Sequence, residues 1–232
     1  MALVKALNSG VRGNERINAF SDGVFAIAVT LLVLELKVPE HLPPGGLAEL
    51  LPELLPKFLG HVISFIVLGI YWVGQHNMFL HIKRHDRVLL WLNNLFLLAV
   101  ASMPFFAGLI THYADDRIAL IAYAANLVAA GLMLAAIWSY ATAGRRLVAA
   151  DMADDMVAFV RRRVLLAPAL YAASIVVAFF SPLAARLIFV VVALLYIVPN
   201  PLDHFHHRVL NTGALVEMND ESEGGAGNDA AD

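Results

Sequence analysis

Ile118-Ala-Leu-Ile-Ala-Tyr-Ala-Ala-Asn-Leu-Val-Ala-Ala-Gly131-Leu-Met-Leu-Ala-Ala-Ile-Trp138-Ser-Tyr-Ala-Thr-Ala-Gly144 contains no Asp, Glu, Lys or Arg. A hydrocarbon layer of roughly 30 Å takes about 20 apolar residues of helix, and this run exceeds that. Its polar members are Ser, Thr, Asn and Gly, which packed membrane helices accept at their contacts. Three more charge-free runs of membrane-spanning length flank it: Phe58–Ile82, Val88–Ala114 and Val164–Ala185. The chain as a whole is 60% hydrophobic and 15% charged, against roughly half and a quarter in ordinary globular domains. A soluble domain has no means of burying four such runs, so the pattern describes a polytopic membrane protein.

Two further spans complete the count. Ile17–Val38 is apolar apart from Asp22, Glu35 and Lys37, and Leu183–Val198 begins with Arg186 and is stopped by Pro199 and Pro201. The expected fold is all-α with six transmembrane helices over residues 1–210, followed by an acidic tail, 211–232, expected to be disordered. Lys83, Arg84 and Arg87, then Arg145, Arg146 and Arg161–Arg163, fall in segments on one side together with the basic residues of the N-terminus and Arg208. The other side holds only Lys37, Lys57, Arg117 and Arg186. The positive-inside rule therefore places both termini in the cytoplasm. Between the first two spans, Pro39–Pro56 is too rich in proline to be helical throughout, with a short interfacial piece expected at Leu47–Leu55. The connection Arg145–Arg163 reads as an amphipathic or helical extension of its neighbouring spans. The N-terminal region offers no signal-peptide pattern, and the chain has no cysteine and hence no disulfides.

The first span carries the unusual residues: Arg16-Ile-Asn-Ala-Phe20-Ser21-Asp22-Gly-Val-Phe-Ala-Ile27-Ala-Val-Thr30-Leu31-Leu-Val-Leu34-Glu35. At 100° per residue, Ile27, Leu31 and Leu34 share a narrow stripe with Thr30 at its edge, and Asp22 points roughly the opposite way. A carboxylate within a span is costly and asks for a partner. Helical spacing alone does not distinguish a pore face from a face that packs against lipid or core, with Asp22 in a structural ion pair.

The motif Arg-x-x-x-Phe-Ser-Asp at the head of a first membrane helix, matched by Arg16, Phe20, Ser21 and Asp22, resembles the signature of the transmembrane protein 175 family. That family comprises endolysosomal potassium channels of animals and their prokaryotic homologues. Tyr71, Trp72 and His76, then Trp91, Asn93 and Asn94, are similar to its polar positions. The resemblance implies a pore formed by first helices, with a constriction of bulky aliphatic side chains and no carbonyl filter. Carried over residue by residue, it puts the constriction at Ile27, with further apolar rings at Leu31 and Leu34 and a hydroxyl layer at Thr30. It also implies a homotetramer, because the animal proteins carry two six-span repeats and form dimers whereas this chain has one. Potassium is the implied permeant ion, with no cofactor, and the implied location is a prokaryotic plasma (inner) membrane, among membrane lipid. Arg16, Phe20, Ser21 and Asp22, with His76, Asn93 and Asn94, are expected to form a network that locks the first helix to the second and third, with Arg16 as the countercharge of Asp22.

Competing functions are weaker on this sequence. A proton-coupled carrier needs an ionisable residue facing a midplane cavity, and Asp22 lies near the helix start, away from the stripe. A non-conducting scaffold would want a soluble partner-binding domain. No catalytic, phosphate-loop, zinc or nucleic-acid-binding pattern is present, so an enzyme is not expected. His204, His206 and His207 lack ligand spacing on one face, and Glu35, Asp115 and Asp116 read as interfacial or loop carboxylates.

Overall fold

The computed structural model describes residues 2–36, 46–113 and 116–197. The described chain is helical, in the order α1 (Ala2–Leu31), α2 (Gly46–His81), α3 (Arg87–His112), α4 (Arg117–Thr142), α5 (Asp154–Ala178) and α6 (Pro182–Ile197). A 3₁₀ turn, Leu32–Glu35, extends α1, and another, Ala143–Arg145, follows α4. Segments of α1 to α4 are long and apolar enough to cross a membrane, and α6 is a shorter apolar helix. The compact unit runs Met1–Ala193; a second begins at Leu194. The acidic tail 211–232 and the histidines at 204, 206 and 207 lie outside the described residues, as do Asp115 and residues 37–45.

Local chemistry sets the helix ends. Asp86 caps α3 by accepting the Leu89 amide at 2.9 Å, and Asp116 caps α4 by accepting that of Ile118 at 2.7 Å. Asp154 and Asp155 stand at the positive end of the α5 dipole. Three boundaries differ from the sequence expectation. The stretch expected as a proline-broken connection with a short helix is helical from Gly46 and runs straight into the second span, with Pro52 and Pro56 inside α2. Each proline there forgoes one amide bond near the helix start, where the unpaired carbonyls can meet water rather than lipid. The expected fifth span, Val164–Ala185, is two helices: α5 ends at Ala178 and Pro182 opens α6. Proline favours the first helical turn, since its missing amide would be unpaired anyway. Finally, α1 starts well before Ile17, the charged residues Glu15 and Arg16 being exposed on it.

Close approach and buried polar bonds hold the helices together. At Gly131, a Cβ would meet three ring carbons of Pro168 at 2.9–3.0 Å, so glycine is what lets α4 lie against α5. The Tyr71 hydroxyl donates to the Leu127 carbonyl at 2.6 Å, and the Ser64 and Tyr123 hydroxyls lie 3.3 Å apart, joining α2 to α4. Asn126 of α4 donates to the Ala99 carbonyl of α3 at 3.1 Å. Phe189 of α6 packs its ring on Tyr123 and Tyr171. At one end of the bundle, Lys83 and Arg84 donate backbone amides to the Leu147 carbonyl, and Asn14 of α1 donates to the Ile82 carbonyl at 2.7 Å. That end therefore gathers the α2–α3 and α4–α5 connections beside α1. Outward-facing Leu98, Phe105, Leu187 and Val191 are more than half exposed, as expected of helices solvated by lipid.

Candidate functional site: the first helix and its polar lock

The first helix has two unlike faces. Ile17, Ser21, Phe25, Ala28 and Leu32, spaced three to four apart, are buried against α2 and α3. Phe20, Ile27, Leu31 and Leu34 are 58%, 61%, 41% and 65% exposed. They recur at helical spacing too, on the face that the subunit's own bundle leaves uncovered. The 3₁₀ turn preserves the alignment, because i and i+3 eclipse in that geometry and Leu34 then stacks over Leu31. Thr30 lies between them, exposed, its hydroxyl donating to the Ala26 and Ile27 carbonyls at 3.0 and 2.9 Å. With the proton spent on the helix backbone, the oxygen lone pairs remain as acceptors on the exposed side.

Buried polar atoms fix the other face. The Ser21 hydroxyl, fully buried, donates to the Ile17 carbonyl at 2.9 Å and accepts from Nδ2 of Asn93 at 3.1 Å. Oδ1 of Asn93 accepts in turn from Nε2 of Gln75 at 3.5 Å, so one chain of donors crosses α1, α3 and α2. Oδ1 of Asp22 accepts from the indole Nε1 of Trp72 at 2.8 Å, and the Trp72 ring is stacked on His76 with centroids 5.7 Å apart. Phe25 packs on Phe96, and Tyr71 on the same ring, under this network.

Of the seven residues expected to lock the helix, the structure brings Ser21, Asp22, His76 and Asn93 into two linked contacts. Arg16 is exposed and forms no ion pair with Asp22; the indole of Trp72 takes the place expected of it. His76 reaches Asp22 only through Trp72, and Asn94 is exposed on α3. Phe20 is not in the lock at all: it joins the exposed stripe. Gln75 was missed by sequence reasoning, and Trp72, named among the family's polar positions, was not assigned to the lock. The signal was available, since Trp72 precedes His76 by four residues and so shares its face of α2. At the far end of α1, the Glu35 carboxylate lies directly over Gly108 of α3, where a Cβ would collide with it.

These features define a class: an all-helical, polytopic membrane protein whose first helix is bolted to its own bundle on one face and keeps an apolar face free. The family model for the endosomal/lysosomal potassium channel TMEM175 matches residues 16–104. A potassium channel of Chamaesiphon minutus is 35% identical over 171 residues, 72% of this chain and 84% of that protein. A potassium channel of Streptomyces collinus is 43% identical over 131 residues, spanning 55% of this chain and 64% of that one, just under two thirds of its length. The human endosomal/lysosomal proton channel TMEM175 is 38% identical over 98 residues, 39% of this chain and 19% of that protein. The crystal structure of a lysosomal potassium-selective channel TMEM175 homologue from Chamaesiphon minutus superposes with a TM-score of 0.72 at 32% identity, over 80% of this chain and 96% of that one. The chain belongs to the TMEM175 family.

Proposed function

We propose that this chain is the subunit of a homotetrameric, potassium-permeable channel. Four copies of α1 surround the conduction path, with Ile27, Leu31 and Leu34 forming apolar rings and Thr30 a layer of hydroxyl oxygens. The observation that carries the proposal is the exposed stripe on α1, a helix otherwise clamped to two neighbours. The bacterial relatives named as potassium channels support the ion. An apolar ring penalises ions that hold water tightly and gates by dewetting, while the Thr30 oxygens replace part of the lost hydration shell. Asp22, engaged by Trp72 on a different side of α1 from the stripe, is unsuited to the role of a proton-coupling carboxylate in a carrier.

The polar connections at the Lys83–Arg84 and Arg145–Arg146 end of the bundle face the cytoplasm by the positive-inside rule, in the plasma membrane of a prokaryote. The test is flux through the purified protein in liposomes under potassium, sodium and proton gradients, with wild type beside Ile27→Ala and Ile27→Asn. Potassium flux exceeding sodium flux, with the ratio altered in both variants, supports a filter on α1. Unchanged ratios place the filter elsewhere, and flux that requires a proton gradient replaces the channel with a carrier. Light scattering on the detergent complex that gives any mass other than four chains removes the tetramer.

A further inference from the structure

The position of Arg161-Arg162-Arg163 in α5 does not match the membrane boundary that the sequence suggests. If the span began just after them, Val164–Ala178 would be only about 22 Å of helix at 1.5 Å per residue, well short of the roughly 30 Å hydrocarbon layer. Contacts with α4 give the same answer independently. The Trp138 indole donates to the Val157 carbonyl at 3.1 Å, and Gly131 sits against Pro168. Arg161 and Arg162 lie between those two levels, about a turn to a turn and a half deeper than Val157. Trp138 is itself one turn inside the end of α4 at Thr142. The arginines therefore stand beside the charge-free stretch of α4, roughly 12 Å from its end.

Nothing described on the subunit neutralises Arg161 or Arg162. Arg161 and Arg162 are exposed and make no hydrogen bond or ion pair among the described residues. The nearest acids on the same helix are nearer its start: Asp154 is held by Arg145 at 2.5 Å, and Asp155, two turns from Arg162, is exposed. Side chains on a helix lean towards its N-terminus, and for α5 that direction leads to the headgroup layer on the side of the α4–α5 connection. Guanidinium groups reaching back along an apolar helix face to that layer meet phosphate, which they bind in bidentate fashion.

We propose that Arg161 and Arg162 form a binding site for the phosphate of an anionic phospholipid, drawn down the outer face of α5 from the leaflet beside the α4–α5 connection. Two guanidinium charges favour a headgroup with net negative charge over a zwitterionic one. The site is separate from α1 and does not depend on conduction.

The experiment is native mass spectrometry of the full chain released from detergent with graded phosphatidylglycerol or phosphatidylcholine of the same acyl chains. Wild type is expected to retain phosphatidylglycerol in preference to phosphatidylcholine. The double variant Arg161→Gln/Arg162→Gln should lose roughly tenfold or more in phosphatidylglycerol affinity, and each single variant about fivefold. The control Arg84→Gln/Arg146→Gln, which removes two basic residues at the bundle end, should leave retention within about twofold of wild type. Equal retention of the two lipids by wild type overturns the proposal, as does wild-type retention in the double variant or an equal loss in the control. If the double variant fails to assemble, the single variants decide by the same criterion.

Discussion

Breaking the contact between α1 and α2 at Asp22 and Trp72 has an effect that can be sized. The Nε1–Oδ1 distance of 2.8 Å is that of a good charge-assisted hydrogen bond. Such bonds contribute about 1.5–3 kcal/mol in water-soluble proteins, whereas side-chain hydrogen bonds within membrane proteins average about 0.6 and reach about 1.7 kcal/mol. Asp22 is exposed and Trp72 is 40% exposed, and both lie in apolar stretches long enough to cross a membrane, so the lower scale applies. A coupling of about 1 kcal/mol follows. Asp22→Ala alone also removes carboxylate solvation, and Trp72→Phe alone also removes indole packing on His76. A double-mutant cycle subtracts those separate costs. Unfolding free energies of wild type, Asp22→Ala, Trp72→Phe and the double variant, measured by titrating sodium dodecyl sulfate into mixed micelles, should give a double-variant loss about 1 kcal/mol smaller than the sum of the single losses. If the single losses add within about 0.3 kcal/mol, the indole does not hold the carboxylate and the account of the lock is wrong.

Three other outcomes are expected. Thr30→Val keeps the shape of the stripe but removes its acceptor oxygen, so potassium flux into liposomes should fall several-fold while the thermal midpoint stays near that of wild type; unchanged flux would remove the hydroxyl layer from the proposal. Gly131→Leu forces a side chain into the Pro168 ring, an overpacking that costs about 1–3 kcal/mol, and Pro168→Ala in the same chain should recover part of the loss, both read by the thermal midpoint in detergent. At the bundle end, the Leu89 amide and then the Tyr140 hydroxyl, 2.6 Å away, hold the Asp86 carboxyl below the usual carboxylate range. A depressed folded-state pKa gives stability that is present above the unfolded value of about 3.9 and lost as pH falls through the folded one. Asp86→Asn should therefore lower the thermal midpoint at pH 7 and flatten its decline below about pH 4, so that variant and wild type converge in acid.

How much of this was legible in the sequence follows from which interactions leave a one-dimensional trace. The spans of α3 and α4 were readable because lipid forbids charge over their whole length, and that constraint acts on each residue separately. The stripe on α1 was readable as a periodicity, and its exposure was not, since exposure depends on where α2 and α3 choose to pack. The polar lock was half legible. Ser21, Asp22 and Asn93 announce themselves as polar residues in apolar helices, yet their pairing is set by helix rotation and depth. Arg16 was the obvious countercharge by proximity in the chain, but it is exposed at the start of the apolar stretch of α1, where solvation outweighs a bond to a carboxylate a turn and a half away. The indole of Trp72, an apolar body with one donor, satisfies Asp22 without bringing a second charge into the span. The ends of α2 and α5 were misjudged for a related reason. The proline-rich stretch before the second span reads as a break, while the expected fifth span runs through both Pro168 and Pro182; the effect of proline depends on whether the carbonyl it leaves unpaired meets water or lipid. At Pro52 and Pro56 the helix continues. At Pro168 it continues deep inside the bundle, because Gly131 makes room for the ring. Among the described residues, only at Pro182 does proline mark a boundary, and there it opens a helix.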